Sequence, residues 1–289
     1  MTTLTQASAF PATIFSASRG LMQDWLLGTN LGLWRLCEGE LTQVAPKLAD
    51  VHITTAAHTT RGVFVGAADT IARSMDGVEW TPVKFSNGGP PITQLCITQS
   101  FRTIGIAFAA TLENGVLRTV DGGQTWTPCN LDQPARDLVA LAASPAFQED
   151  YNIFAAFESA VFRGYKAGST WERLPIPERA LPATSIALTM RCIFVGSAEG
   201  LWRSDDGYTW DLVPETAGLP ITALAMSANA SWLAFTGGGR AGRTNDHAET
   251  IEWIDAAPAD ALSLAVNDDG EFVLGTVASG LWHAAAPAK

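Results

Sequence analysis

Arg118-Thr119-Val120-Asp121-Gly122-Gly123-Gln124-Thr125-Trp126 is the stretch that decides the fold. A strand ends at Arg118. Asp121 and the two glycines make a tight turn, because an aspartate accepts hydrogen bonds from nearby backbone amides and glycine tolerates positive φ. Thr125 and Trp126 open a return strand, and the indole supplies a large apolar plate. The unit reads as a hairpin with a self-capped turn.

Worn copies recur along the chain. Arg73-Ser74-Met75-Asp76-Gly77-Val78-Glu79-Trp80 and Arg203-Ser204-Asp205-Asp206-Gly207-Tyr208-Thr209-Trp210 are one residue shorter. Arg163 to Trp171 keeps the frame but has Lys166 where the aspartate belongs, and Arg243-Thr244-Asn245-Asp246 begins a longer version that reaches Trp253. Arg35 opens a degenerate copy and His283 ends the last. The anchors at 35, 73, 118, 163, 203, 243 and 283 are spaced by 38 to 45 residues. A fixed period of roughly 40–45 residues made of short strands is the pattern of a β-propeller. The expectation is all-β: one seven-bladed propeller filling residues 1–289, with blades at about 12–45, 50–84, 92–130, 137–175, 184–214, 221–255 and 261–285. Blade 7 lacks a fourth strand, and an open edge invites aggregation. Residues 3–9 are expected to cross over, supply that strand and close the ring. Blade 6 reads as the most irregular.

The Ser/Thr-x-Asp-(x)-Gly-x-Thr-Trp pattern resembles the Asp-box or BNR repeat of sialidase-like, sortilin-like and photosystem II assembly-factor-like propellers. Ser144-Pro145-Ala146-Phe147-Gln148-Glu149-Asp150, followed by Ile153-Phe154-Ala155-Ala156, is similar to a recurrent phrase of bacterial BNR-repeat proteins. The resemblance implies the fold over nearly the whole chain. It implies little about function, since those families do unrelated things on one scaffold.

Hydrophobic residues make up 47% of the 289 and charged residues 16%, which suits strands buried on both faces. A net charge of −11 argues against a general nucleic-acid or anionic-membrane surface. No signal-peptide pattern is visible, and no apolar run approaches the roughly 20 residues that span a bilayer. A cytoplasmic protein is expected. Cys37, Cys96, Cys129 and Cys192 have no metal-ligand spacing and read as buried free thiols. His52, His58, His247 and His283 are dispersed, so neither a metal site nor a catalytic triad is expected, and no cofactor is called for.

The structural positions are Asp76, Trp80, Asp121, Trp126, Trp171, Asp206 and Trp210, with the aspartates capping their own turns. The column Arg35, Arg73, Arg118, Arg163, Arg203 and Arg243 is expected to make blade-local hydrogen bonds at large radius. All ten tryptophans fall in strands or boxes, which weakens a sugar-binding reading. Sialidase chemistry lacks its Arg-Ile-Pro signature, and Tyr151, Tyr165 and Tyr208 are the only tyrosines.

The candidate binding residues are Asp69, Glu113, Glu158 and Glu199, in the turns between second and third strands of four successive blades, and Arg240. Leaning inward, the acids would form a mouth for a cation or basic peptide. Gly237 to Arg243 reads as a flexible, locally basic loop, and residues 85–91 as an interblade turn. The function expected is a non-enzymatic protein-binding, scaffolding or assembly propeller with a protein partner, open to membership of a larger assembly. The alternative is a carbohydrate-active propeller, glycan-binding or glycosidase-like, using an acidic central mouth.

Overall fold

The computed structural model describes residues 3–8, 10–20, 24–59, 62–83, 90–254 and 256–287. Residue 9 of the expected closing strand and residues 85–89 of the expected interblade turn lie outside them. The chain forms seven four-stranded antiparallel sheets, each ordered from inner to outer strand. Blade 5 shows the pattern: Ala183–Leu188, Ile193–Ser197, Gly200–Ser204 and Asp211–Leu212. Its second strand is buried at every residue, because both of its faces meet neighbouring blades.

The ring closes as the missing strand required. Leu4–Ser8 pairs with Leu281–Ala284, the third strand of blade 7, with Thr5 opposite His283. Gln6 Nε2 also donates to Ser279 O at 3.0 Å. Blade 6, expected to be irregular, is a regular four-stranded sheet: Ile221–Met226, Leu233–Gly237, Arg240–Thr244 and Glu252–Ile254. The Gly237–Arg243 run is correspondingly not a loop. Gly238 and Gly239 have φ of 58° and 76° and make a two-residue hairpin turn, and Arg240 already pairs with Gly237 in the sheet.

Each inner strand carries a register shift between its first and third residues, as between Ile53 and Thr55. A bulge at that point twists the strand. Several side chains near the bulges tie successive inner strands together. Thr54 Oγ1 donates to Ile92 O at 2.5 Å, Gln94 bonds both backbone groups of Leu141, Thr184 Oγ1 donates to Ile221 O, and Ser263 Oγ to Ile14 O. Blades approach closely behind these bonds. A Cβ on Gly275 would stand 2.4 Å from Ile14 Cγ2, so only glycine fits there.

Two connections between first and second strands hold helical turns, Phe101–Ile104 and Phe147–Asp150. Each inserts a buried phenylalanine against the preceding blade. Phe101 meets Phe64 edge-on at 5.5 Å, and Phe147 meets Phe108 at 5.8 Å. A further helical turn, Ala135–Asp137, leads into the inner strand of blade 4. No helix of the described residues is long and apolar enough to cross a membrane.

Candidate functional site

One end of the ring carries the capped turns and the connections between first and second strands. The other carries the turns between second and third strands. At the first end the aspartates act on their own turns. Asp121 Oδ1 accepts from the backbone N–H of Gln124 and Thr125, both at 2.9 Å, and Oδ2 accepts from Thr125 Oγ1 at 2.6 Å. Partial burial would raise its pKa, but these hydrogen bonds outweigh that and hold it at about 2. Asp76 accepts from Glu79 and Val78 N–H, and Asp206 from Thr209 and Tyr208 N–H; both carboxyls are held low for that reason. Asp246 repeats the arrangement with Thr250. In blade 4, where Lys166 replaces the aspartate, Lys166 and Ala167 take φ of 50° and 55° and the turn is held by Ser169 Oγ on Lys166 O.

The arginine column is structural, but it is not blade-local. Five of the six reach into the next blade's turn. Arg73 donates to Gly122 O at 3.3 Å, Arg118 to Ala167 O at 2.8 Å, Arg163 to Asp206 O at 3.1 Å and Arg203 to His247 O at 3.0 Å. Arg243 donates to Gly270 O at 2.7 Å and Ala285 O at 2.5 Å. The long side chain spans the gap between sheets, and each turn offers a carbonyl that its own hairpin leaves unused. Arg35 is instead 3.8 Å from Asp24 of its own blade, and Arg243 adds an ion pair with Glu252 of its own blade. Blade 7 has His283 in place of the arginine, bonded to its own Glu271 at 2.7 Å.

No tryptophan is exposed: Trp25, Trp126, Trp202 and Trp210 are buried, and the rest, including Trp80 and Trp171, are half-buried. The fold also assembles a cluster that sequence spacing did not indicate. Tyr165 and Tyr208, from neighbouring blades, donate to the two oxygens of Glu172 at 2.5 and 2.7 Å. These bonds hold the Glu172 carboxyl low and push the Tyr208 phenol up to about 12. Three cysteines are buried free thiols as expected, whereas Cys37 is free and half-buried. Burial is the main reason that Cys96 and Cys192 rise to about 12, which keeps both as unreactive thiols.

At the opposite end, Asp69, Glu113, Glu158 and Glu199 stand exposed in their turns. Glu199 pairs with Arg179 at 3.1 Å. Asp69, Glu113 and Glu158 have no ion pair among the described residues. Leu31, Leu112 and Val277, 40%, 49% and 48% exposed, occupy turns of the same end in blades 1, 3 and 7. Arg240 does not project freely; its guanidinium lies 4.2 Å over the Trp253 ring.

The seven inner strands enclose a central cavity of about 580 Å³. None of the four acidic turn residues lines it. Its described wall contains no carboxylate; the charged or ionisable groups that face it are Arg19, His58 and the buried thiol of Cys96. Among the described residues no cluster of His, Cys, Asp and Glu could hold a metal.

The described architecture is that of a seven-bladed β-propeller with structural relatives of varied business. The chain superposes on a streptogramin B lyase structure with a TM-score of 0.79 at 13% identity, covering 99% of this chain and 98% of that one. It superposes on virginiamycin B lyase from Staphylococcus aureus at 0.76 and 14%, with 98% of each chain covered. A structure of YCF48 bound to D1 peptide gives 0.74 at 15%, covering 100% and 96%. At such identities the likeness is one of fold. No family model and no curated protein matches the chain.

Proposed function

We propose that the chain is a non-enzymatic protein-binding propeller of Asp-box type, acting as a scaffold or assembly factor. It docks a basic, partly apolar segment of a partner protein on the end that carries the second-to-third strand turns. The observation that carries this reading is the composition of that end. Asp69, Glu113 and Glu158 are exposed and without ion pairs among the described residues, and exposed Leu112 shares the Glu113 turn, with exposed Leu31 and Val277 in turns of the same end. Unneutralised carboxylates steer a cationic partner, and the two leucines and the valine supply apolar contact. The peptide held by YCF48, a protein of the same fold, supports the reading by analogy. A cytoplasmic setting and membership of a larger assembly belong to the same proposal. The carbohydrate-active alternative draws no support from a cavity whose described wall lacks carboxylates, or from tryptophans that are all buried or half-buried.

The test is affinity purification from native cells beside the variant Asp69→Asn/Glu113→Gln/Glu158→Gln/Glu199→Gln. A near one-to-one partner that is lost from the variant, with thermal stability unchanged, supports the docking face. Because the attraction is between exposed charges, capture should also weaken as salt is raised. A partner retained in full by the variant, or none at all, overturns the proposal.

A further inference from the structure

Every inner strand is bulged at the same place, and the bulge decides what the ring shows at its docking end. The residue that the register skips is the second of each strand: Phe15, Thr54, Thr93, Val139, Thr184, Thr222 and Leu262. A bulged residue is left unpaired in the ladder and its side chain is re-aimed. All seven line the central cavity, one from each blade. None is charged, in a chain with 29 carboxylate residues and 18 lysines and arginines.

This ring is the cavity mouth at the end that carries the second-to-third strand turns. Leu112 N–H donates to Pro91 O at 3.0 Å, Glu158 N–H to Asp137 O at 2.9 Å and Val277 N–H to Asp260 O at 3.0 Å. Each acceptor immediately precedes an inner strand, and the bulged residues Thr93, Val139 and Leu262 lie two positions further on. The turns therefore rim the mouth at about 7 Å, the length of two extended residues. Thr54 Oγ1 donates to Ile92 O, Thr184 Oγ1 to Ile221 O and Thr222 Oγ1 to Thr236 O, so three of the four threonine hydroxyls are spent on backbone carbonyls. Phe15, Val139 and Leu262 add purely apolar surface, and Thr93, Thr184, Thr222 and Leu262 are exposed. An uncharged, mainly apolar centre inside a rim of unpaired carboxylates has the anatomy of an interface hot spot.

We propose that the ring of bulged residues is a socket for one large apolar side chain of the docked partner, flanked two residues away by a lysine or arginine that meets the Asp69, Glu113 and Glu158 rim. The inference rests on the docking face proposed above and names the motif that this face reads. In an extended segment residues two apart point the same way and are separated by about 7 Å, which matches the step from mouth to rim. The two positions are not interchangeable. A lysine in the mouth would give up water for a wall whose described residues hold no carboxylate, whereas an apolar side chain gains by leaving water. The cavity behind the ring, about 580 Å³, has room for such a side chain.

The test is selection of a random peptide library on the immobilised full chain, then fluorescence anisotropy of an enriched peptide. Enriched sequences should carry a large apolar residue with lysine or arginine two positions away, and changing that apolar residue to serine should weaken binding about tenfold or more. Leu262→Asp is the deciding variant. A face that acts by charge alone would hold a basic peptide more tightly when a carboxylate is added, whereas the socket loses apolar contact and binds about tenfold more weakly. Thr93→Asp, at another exposed position of the ring, should act in the same direction and decides if Leu262→Asp does not fold. Equal or tighter binding by these variants, with binding still lost from Asp69→Asn/Glu113→Gln/Glu158→Gln/Glu199→Gln, overturns the socket and leaves the docking face standing. Enriched peptides without basic residues, or no enrichment at all, overturn both.

Discussion

Replacing Arg243 with methionine removes the most deeply buried member of the interblade series. Its side chain is fully buried, and it makes hydrogen bonds to three different segments. Nε and Nη2 grip Glu252 at 3.0 and 2.9 Å, and Nη1 meets Gly270 O and Ala285 O. The guanidinium also lies about 6 Å from the Trp232 and Phe272 rings. Removing one partner of a buried ion pair costs about 3–5 kcal/mol. Glu252 is 37% exposed, so water can rescue part of its charge and the pair falls at the low end. The two stranded carbonyls bring the total to about 4 kcal/mol. For a chain of this size each kcal/mol lowers the melting temperature by about 2 °C, so Arg243→Met should melt roughly 8 °C lower. Differential scanning calorimetry at pH 7 reads this. Arg243→Met/Glu252→Met should recover part of the loss, because no unpaired carboxylate remains. A single-variant change under about 2 °C would refute the claim that these staples bind blade to blade.

Three further outcomes follow from features of the ring. The Asp121 carboxyl sits at about 2, below its unfolded value, so the stability it contributes is present above the unfolded pKa and is lost as pH falls towards about 2; Asp121→Asn should flatten thermal stability against pH between 4.5 and 2. Gly275→Val should lower stability by about 1–3 kcal/mol in urea unfolding, since its Cβ would lie 2.4 Å from both Ile14 Cγ2 and Ser263 Oγ. Deleting residues 1–9 bares the third strand of blade 7, Leu281–Ala284, and should yield concentration-dependent association by light scattering, where a monodisperse monomer would contradict the closure role.

The fold was legible because seven imperfect copies share one local grammar. A turn that caps itself, as at Asp121, needs no knowledge of its surroundings, and so it shows in the sequence. The arginines did not yield to the same reading. Arg118 and its acceptor Ala167 are 49 residues apart, and a repeat read in isolation cannot show that its arginine serves the next repeat. The glycines at 237–239 misled because glycine marks both flexible loops and tight hairpins, and only strand pairing distinguishes them. Arg19 and His58 carry no motif. Their signal lay in aligning the inner strands on Ile14, Ile53 and Ile92. The sixth position is then Ile97, Ala143, Leu188, Met226 and Val266 in five blades, and Arg19 and His58 in the other two.

The closing strand has a consequence for synthesis. Leu4–Ser8 precedes every other strand in the chain, yet its partner, Leu281–Ala284, is the last strand of all. At roughly 5–20 residues per second, some 14 to 55 seconds separate the two leaving the ribosome. Throughout that interval the first strand has no native edge to join, while blades 1 to 6 can stack in the order they appear. Nascent chains stalled before residue 281 should therefore carry an adhesive leading segment, and release of the final strand commits the ring.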